Sequence, residues 1–180
     1  MTILLLSGSS REGSFNTAIL ENSKAFLHDQ QISSFAIEKL PFYQQSLDGD
    51  NRPSIVQDFI RAVEQADAIL IATPEYNYSI PAVLKNALDW ASRPAFQSPL
   101  KGKHIGIVSA SPAITGGVQA QAHLKHVLAG TLSLVYPVPA CCFGQCHTVI
   151  EDGKITDGAT NQRLKDYLEG FLHWLETGKF

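Results

Sequence analysis

Nowhere does the chain run through the roughly 18 consecutive apolar residues that a membrane-spanning helix needs. Its first greasy stretch, Ile3 to Leu6, is too short even for the apolar part of a signal peptide. Cysteine is scarce: Cys141, Cys142 and Cys146 are an odd number crowded into one region. That argues against a disulfide framework and suits a reducing compartment, so the cytoplasm is the expected location. The spacing CCxxxC also falls short of the four ligands that structural zinc and iron-sulfur clusters use, and no metal is expected. No role is assigned to these thiols or to His147. Charge is thin as well. Only 17% of residues are charged, the formal balance is -3, and no basic cluster occurs. This lacks the electrostatic footprint of a nucleic-acid binder and the basic patch of a membrane anchor.

What the chain does have is apolar substance. At 180 residues and 44% hydrophobic it fits a single domain over residues 1–180, long enough to bury a sizeable core. Apolar runs rich in β-branched residues recur at 2–7, 32–37, 67–73, 104–110 and 131–137. The first, third and fourth are apolar almost throughout, as strands buried on both faces of a parallel sheet are; the second alternates and belongs nearer an edge. Helical patterns fill the gaps at 15–28, 54–66, 80–92, 117–129 and 160–176. In the third, Ser79 is placed to cap the start, Pro81 falls in the first turn, and Val83, Ala87 and Trp90 or Ala91 share a face. Five alternations of strand and helix with right-handed crossovers give an α/β fold, a three-layer doubly wound sandwich. Residues 41–53, 92–102 and 142–158 read as loops, the last with an EDGK turn between two short strands.

The first strand hands over to its helix through SGSSREGSFN, Ser7 to Asn16. A helix starting near Phe15 aims free N–H groups and a positive dipole end into this loop. Its serines and Asn16 add short donors, and Arg11 adds a fixed positive fork. An anion, most simply a phosphate, is the ligand such a loop asks for. The triphosphate motif GxxxxGK[ST] fails, because Ser14 and Phe15 stand where its lysine and hydroxyl belong. The dinucleotide motif GxGxxG fails at Ser10, although Glu38 stands where a ribose-binding acid would. The hydrolase elbow GxSxG is broken by Glu12. A plain strand-to-helix connection whose serines merely cap the helix is the remaining alternative, but it commonly needs only about two to six residues.

The third strand ends in TPEYNYSIPAVLKNALDW, Thr73 to Trp90, with two tyrosines, a glutamate and two prolines at the same sheet edge. With strands one and three adjacent, as in the order 2-1-3-4-5, both loops border one crevice suited to a flat aromatic ligand. SGSSREGSFN together with TPEYNYSIPAVLKNALDW closely resembles the NADPH-dependent FMN reductase family, in particular its quinone and chromate reductase branch. The spacing between the motifs, the later SASPAITGG and the EDGKITD turn match too, so the resemblance covers nearly the whole chain.

That resemblance implies a flavodoxin-like sandwich around a five-stranded parallel sheet in the order 2-1-3-4-5, binding FMN. The phosphate would rest on Ser9, Arg11, Ser14, Phe15 and Asn16. Pro74, Glu75, Tyr76, Asn77 and Tyr78 would line the ring, chiefly through backbone N–H groups, and Ser109, Ser111, Gly116 and Gly117 would approach its other polar edge. The activity implied is that of an NAD(P)H oxidoreductase, with NADPH or NADH passing a hydride through flavin N5 to quinone, azo, chromate or flavin acceptors by ping-pong kinetics. No catalytic side chain is needed, since the chemistry belongs to the cofactor. A homodimer or homotetramer with the flavin near the subunit boundary is implied as well. Two rivals are an electron-carrying flavodoxin that NAD(P)H does not reduce directly, and a flavin-free protein that kept the fold. Glu12 departs from a loop made for a dianion and is expected to point to solvent, Pro112 stiffens the fourth-strand loop, and His123 and His126 read as surface residues of one helix.

Overall fold

The computed structural model describes residues 1–179. The apolar runs form the parallel sheet that their patterning predicts. Strands β1 (Thr2–Ser7), β2 (Gln31–Ser34), β3 (Ala68–Ala72), β4 (His104–Ala110) and β5 (Leu134–Val135) lie in the order β2-β1-β3-β4-β5. The register pairs Leu5 with Leu70 and Ile71 with Ile107. Side chains alternate between faces. Ile3, Leu5, Leu70, Ala72 and Val108 pack under helices α1 (Phe15–Ser23) and α5 (Gly158–Thr177). Leu4, Leu6, Ile69, Ile71 and Ile107 pack under α2 (Ser54–Gln65), α3 (Ala82–Ala91) and α4 (Val118–Gly130). Three layers result, and no helix is long and apolar enough to cross a membrane among the described residues.

Three local expectations are corrected. The second run leaves the sheet at Ser34, because Phe35 and Ile37 turn away to pack on α2, the Phe35 ring 5.1 Å from that of Phe59. The fifth strand is not continuous over 131–137. It pairs with His104 and Ile105, breaks across Pro137 and Pro139, which lack a ladder donor, and resumes as β6 (Cys141–Phe143) beside Val108 to Ala110. Cys142 and Phe143 therefore lie in a strand rather than in the loop expected over 142–158. Where the ladder is interrupted, the Ile107 N–H donates instead to the hydroxyl of Tyr167 on α5, at 2.8 Å.

The third correction concerns Ser79. Pro81 occupies the N-cap position of α3, and Ser79 makes no cap; its Oγ lies 2.6 Å from Nδ1 of His123 on α4 instead. The EDGK turn is as read from the sequence. Strands β7 (Ile150–Glu151) and β8 (Lys154–Ile155) pair antiparallel across Asp152 and Gly153, both with positive φ, the backbone that a two-residue hairpin requires.

Candidate functional site

A cleft of about 330 Å³ opens at the carboxyl ends of β1, β3 and β4, where open α/β sheets hold their ligands. One side comes from the loop after β1. Ser14 is the N-cap of α1: its extended backbone (φ -64, ψ 128) turns the chain into the helix, and its buried Oγ accepts the Thr17 N–H at 3.4 Å. The N–H groups of Phe15 and Asn16, first in the helix, have no carbonyl one turn back, and both residues line the cleft. Ser9 and Arg11 complete this side. Among the described residues the exposed Arg11 guanidinium donates only to carbonyls of its own loop, Glu12 O at 3.2 Å and Gly13 O at 2.9 Å, and it lies over the Phe15 ring. Glu12 itself points to solvent.

Asn16 departs from its expected part. Its side chain, 2% exposed, donates to Ala110 O and accepts from Ala110 N–H, both at 2.9 Å, tying α1 to the end of β4. Only its backbone amide is left for a ligand.

Pro74, Glu75 and Tyr76 form the second wall. Tyr76 and Ser79 exchange backbone bonds of 2.9 and 3.0 Å around Asn77 and Tyr78, which carry φ of 50° and 63°. This tight turn carries Asn77 and Tyr78 beyond the lining, and Tyr78 is 78% exposed. The Glu75 carboxylate turns to α4, where Oε2 accepts the N–H groups of Gln119 and Ala120 at 2.9 and 3.2 Å.

The third wall is Ala110, Ser111 and Pro112. Ser109, expected at a ligand's edge, is fully buried, its hydroxyl donating to Gly116 O at 2.6 Å and accepting from Gln121 Nε2 at 2.8 Å. Gly116 and Gly117 are buried behind it rather than on the lining. Gly117 has a φ of 90°, and a Cβ there would stand 3.0 Å from that of Ser109. Gln121, which also donates to Cys141 O at 2.8 Å, escaped the sequence reading, because a glutamine inside a helical pattern carries no signal of its own.

The cysteine segment braces this wall through its backbone. Ser111 N–H donates to Phe143 O at 3.0 Å, Gln145 N–H to Ala113 O at 3.2 Å and Cys146 N–H to Ser111 O at 3.2 Å. Burial pushes the Cys141 thiol up to about 12 and that of Cys146 to about 11, the latter despite the nearby Arg11 charge. Both are protonated at neutral pH and unfit as nucleophiles.

Residues 1–148 match the family model described as NADPH-dependent FMN reductase. The chain belongs to the NADPH-dependent FMN reductase family. An NAD(P)H-dependent FMN reductase of Pseudomonas aeruginosa is 34% identical over 177 residues, 96% of this chain and 94% of that one. A quinone reductase of Escherichia coli K12 is 31% identical over 184 residues, covering 99% and 97%. Among solved structures, the flavoenzyme NAD(P)H:(acceptor) oxidoreductase of Paracoccus denitrificans superposes with a TM-score of 0.89 at 32% identity, covering 97% of each chain. Membership makes this chain an oxidoreductase, with the flavodoxin-like strand order that the sequence resemblance implied. The matched region takes in the three walls of the cleft, all of which lie before residue 113.

Proposed function

We propose that the cleft holds FMN and that the protein is an NAD(P)H-dependent reductase of quinone-type acceptors. The observation that carries this reading is an open anion cradle joined to a flat wall. The Phe15 and Asn16 amides and Arg11 sit at one end of the cleft, and Pro74 to Tyr76 with Ser111 and Pro112 enclose the other. The residues fit the cofactor. Two helix-end N–H groups, the Ser9 and Ser14 hydroxyls and a guanidinium engaged only by exposed loop carbonyls offer donors to a phosphate dianion. Backbone of Glu75 and Tyr76 borders the place for the ring.

When bound, FMN would supply the redox chemistry that carries reducing equivalents from NADPH or NADH to a quinone, azo, chromate or flavin acceptor. The chain's own part is to grip the phosphate, hold the wall in one conformation through the Tyr76–Ser79 turn, and leave a single open face. One face serving both partners in turn makes ping-pong kinetics the expected pattern.

A second copy of the chain belongs to this reading. Tyr78, Phe96 and Leu132 are bulky, exposed and all left-handed, with φ of 63°, 64° and 60°. That backbone costs about 1 kcal/mol or more for such residues, and a monomer with these side chains in water gains nothing from it. Phe96 and Leu132 border a groove between α3 and α4 together with His123, which is bonded to the turn carrying Tyr78. Exposed positions of α4, from Val118 through Ala122 and His126 to Ala129, carry no formal charge, which suits contact with a second copy, and the Lys85–Asp89 pair and Arg93 border the same groove.

The test is anaerobic. Protein reconstituted with FMN is mixed with NADPH or NADH and its visible spectrum followed, and a quinone is then added. Bleaching by the nucleotide and recovery with the quinone are expected. Bound flavin that NAD(P)H leaves unbleached would instead identify an electron carrier, and protein that takes up no flavin would refute the cofactor.

A further inference from the structure

Helices α1 and α4 each follow a loop that lines the cleft, and they are finished differently. Helix α1 leaves its first amides open. Helix α4 cannot be capped by its own N-cap residue, because Gly117 has no side chain. A side chain there would crowd Ser109 and strain the left-handed backbone at 117. The cap comes from a distant residue: one carboxylate oxygen of Glu75 accepts the N–H groups of both Gln119 and Ala120. Four residues on, Ser79 and His123 tie the same loop to the next turn of α4. The wall made by Pro74 to Tyr76 is thus fastened to α4 at two points, and a carboxylate stands where the helix dipole is most positive.

We propose that Glu75 is a positioning residue that both fixes the cleft wall and holds down the midpoint potential of the bound flavin. This rests on FMN occupying the cleft. Reduction adds negative charge to the flavin, so the electrostatics of the two helix ends divide the labour. The open end of α1 attracts the phosphate, whose charge is the same in both redox states. The end of α4, already matched by Glu75, offers no surplus positive field to the ring, and the carboxylate disfavours added negative charge beside it. Electron transfer onward to an acceptor is favoured by that arrangement. The Glu75 carboxylate is no proton donor or acceptor in this scheme, and it acts through the amides that it orders.

Glu75→Gln separates charge from geometry, since the amide oxygen can still accept from Gln119 and Ala120 while the negative charge is gone. Three quantities are read in wild type, Glu75→Gln and Glu75→Ala. They are amide hydrogen exchange of Gln119 and Ala120 in flavin-free protein, affinity for oxidised FMN by titration, and the midpoint potential of bound FMN by spectroelectrochemistry. Glu75→Gln is expected to keep the exchange protection and the affinity for oxidised FMN, and to bind reduced FMN about tenfold tighter, a rise of about 30 mV for a two-electron couple. Glu75→Ala should lose the protection at Gln119 and Ala120 and weaken both forms. An unchanged potential in Glu75→Gln with FMN normally bound would overturn the tuning role alone. Unchanged exchange in Glu75→Ala would overturn the fastening role. Failure of the wild type to bind FMN would overturn the cofactor reading and the tuning role with it.

Discussion

Asn16 and Ala110 exchange two hydrogen bonds of 2.9 Å, joining the first turn of α1 to the last residue of β4. The pair sets the distance between the α1 side of the cleft and its third wall. Asn16→Ala leaves a buried N–H and a buried carbonyl without partners, which should lower the unfolding free energy by about 2 kcal/mol or more. Urea denaturation checks this, and FMN affinity should fall with it, because the cleft loses its brace.

Arg11 behaves in the opposite way. Among the described residues its guanidinium bonds only exposed carbonyls of its own loop, so Arg11→Ala should change stability by less than about 0.5 kcal/mol. Loss of a charge-assisted bond to phosphate should still weaken FMN binding by about tenfold to a hundredfold, as fluorescence titration would read. Unaltered affinity would remove Arg11 from the phosphate site.

Tyr167 closes the gap that the divided fifth strand leaves in the sheet. Tyr167→Phe keeps the ring packed near Tyr136 but strands the Ile107 N–H, and should cost about 1–3 kcal/mol. A thermal melt of the variant against wild type measures it, with the visible spectrum of added FMN unaffected because the change lies away from the cleft.

The three thiols should separate by reactivity. Cys141 and Cys146 are buried and their thiols are pushed up to about 12 and about 11, whereas Cys142 is partly exposed. Raised values keep the protonated, unreactive form dominant until the pH nears them. At about pH 8, iodoacetamide should therefore label Cys142 and spare the other two until the protein is denatured. Mass spectrometry of the peptides decides the matter.

Much of this molecule is legible in its sequence for physical reasons that also mark the limits. Strands apolar on both faces announce a parallel sheet, and Ile3 to Leu6 or Ala68 to Ala72 can be read with no other information. The loop from Ser7 to Asn16 can be read as a long connection from strand to helix, and its serines, Arg11 and helix-end amides are what the proposed anion rests on. What escapes is every decision made by contact between distant segments. Asn16 and Ala110 are 94 residues apart, and nothing near either predicts that the asparagine amide is spent on a strand end rather than on a ligand. Ser109 reads as an available hydroxyl until Gln121 and Gly116 are seen to bury it. Ser79 reads as a helix cap, yet the proline two residues later takes that place and releases the hydroxyl to His123. The division of the fifth strand was hinted by Pro137 and Pro139, but its resumption at Cys141 depends on the free edge of β4.

In the proposed complex the open end of α1 and Arg11 grip a monophosphate while the neighbouring wall receives a flat ring. Titration of the same protein with FMN and with riboflavin, which differ only in the phosphate, tests it most directly. FMN should bind at least about a hundredfold more tightly than riboflavin, from two or more charge-assisted bonds, and Arg11→Ala should narrow the gap. Equal affinities for the two flavins would show that the α1 end and Arg11 do not bind the phosphate.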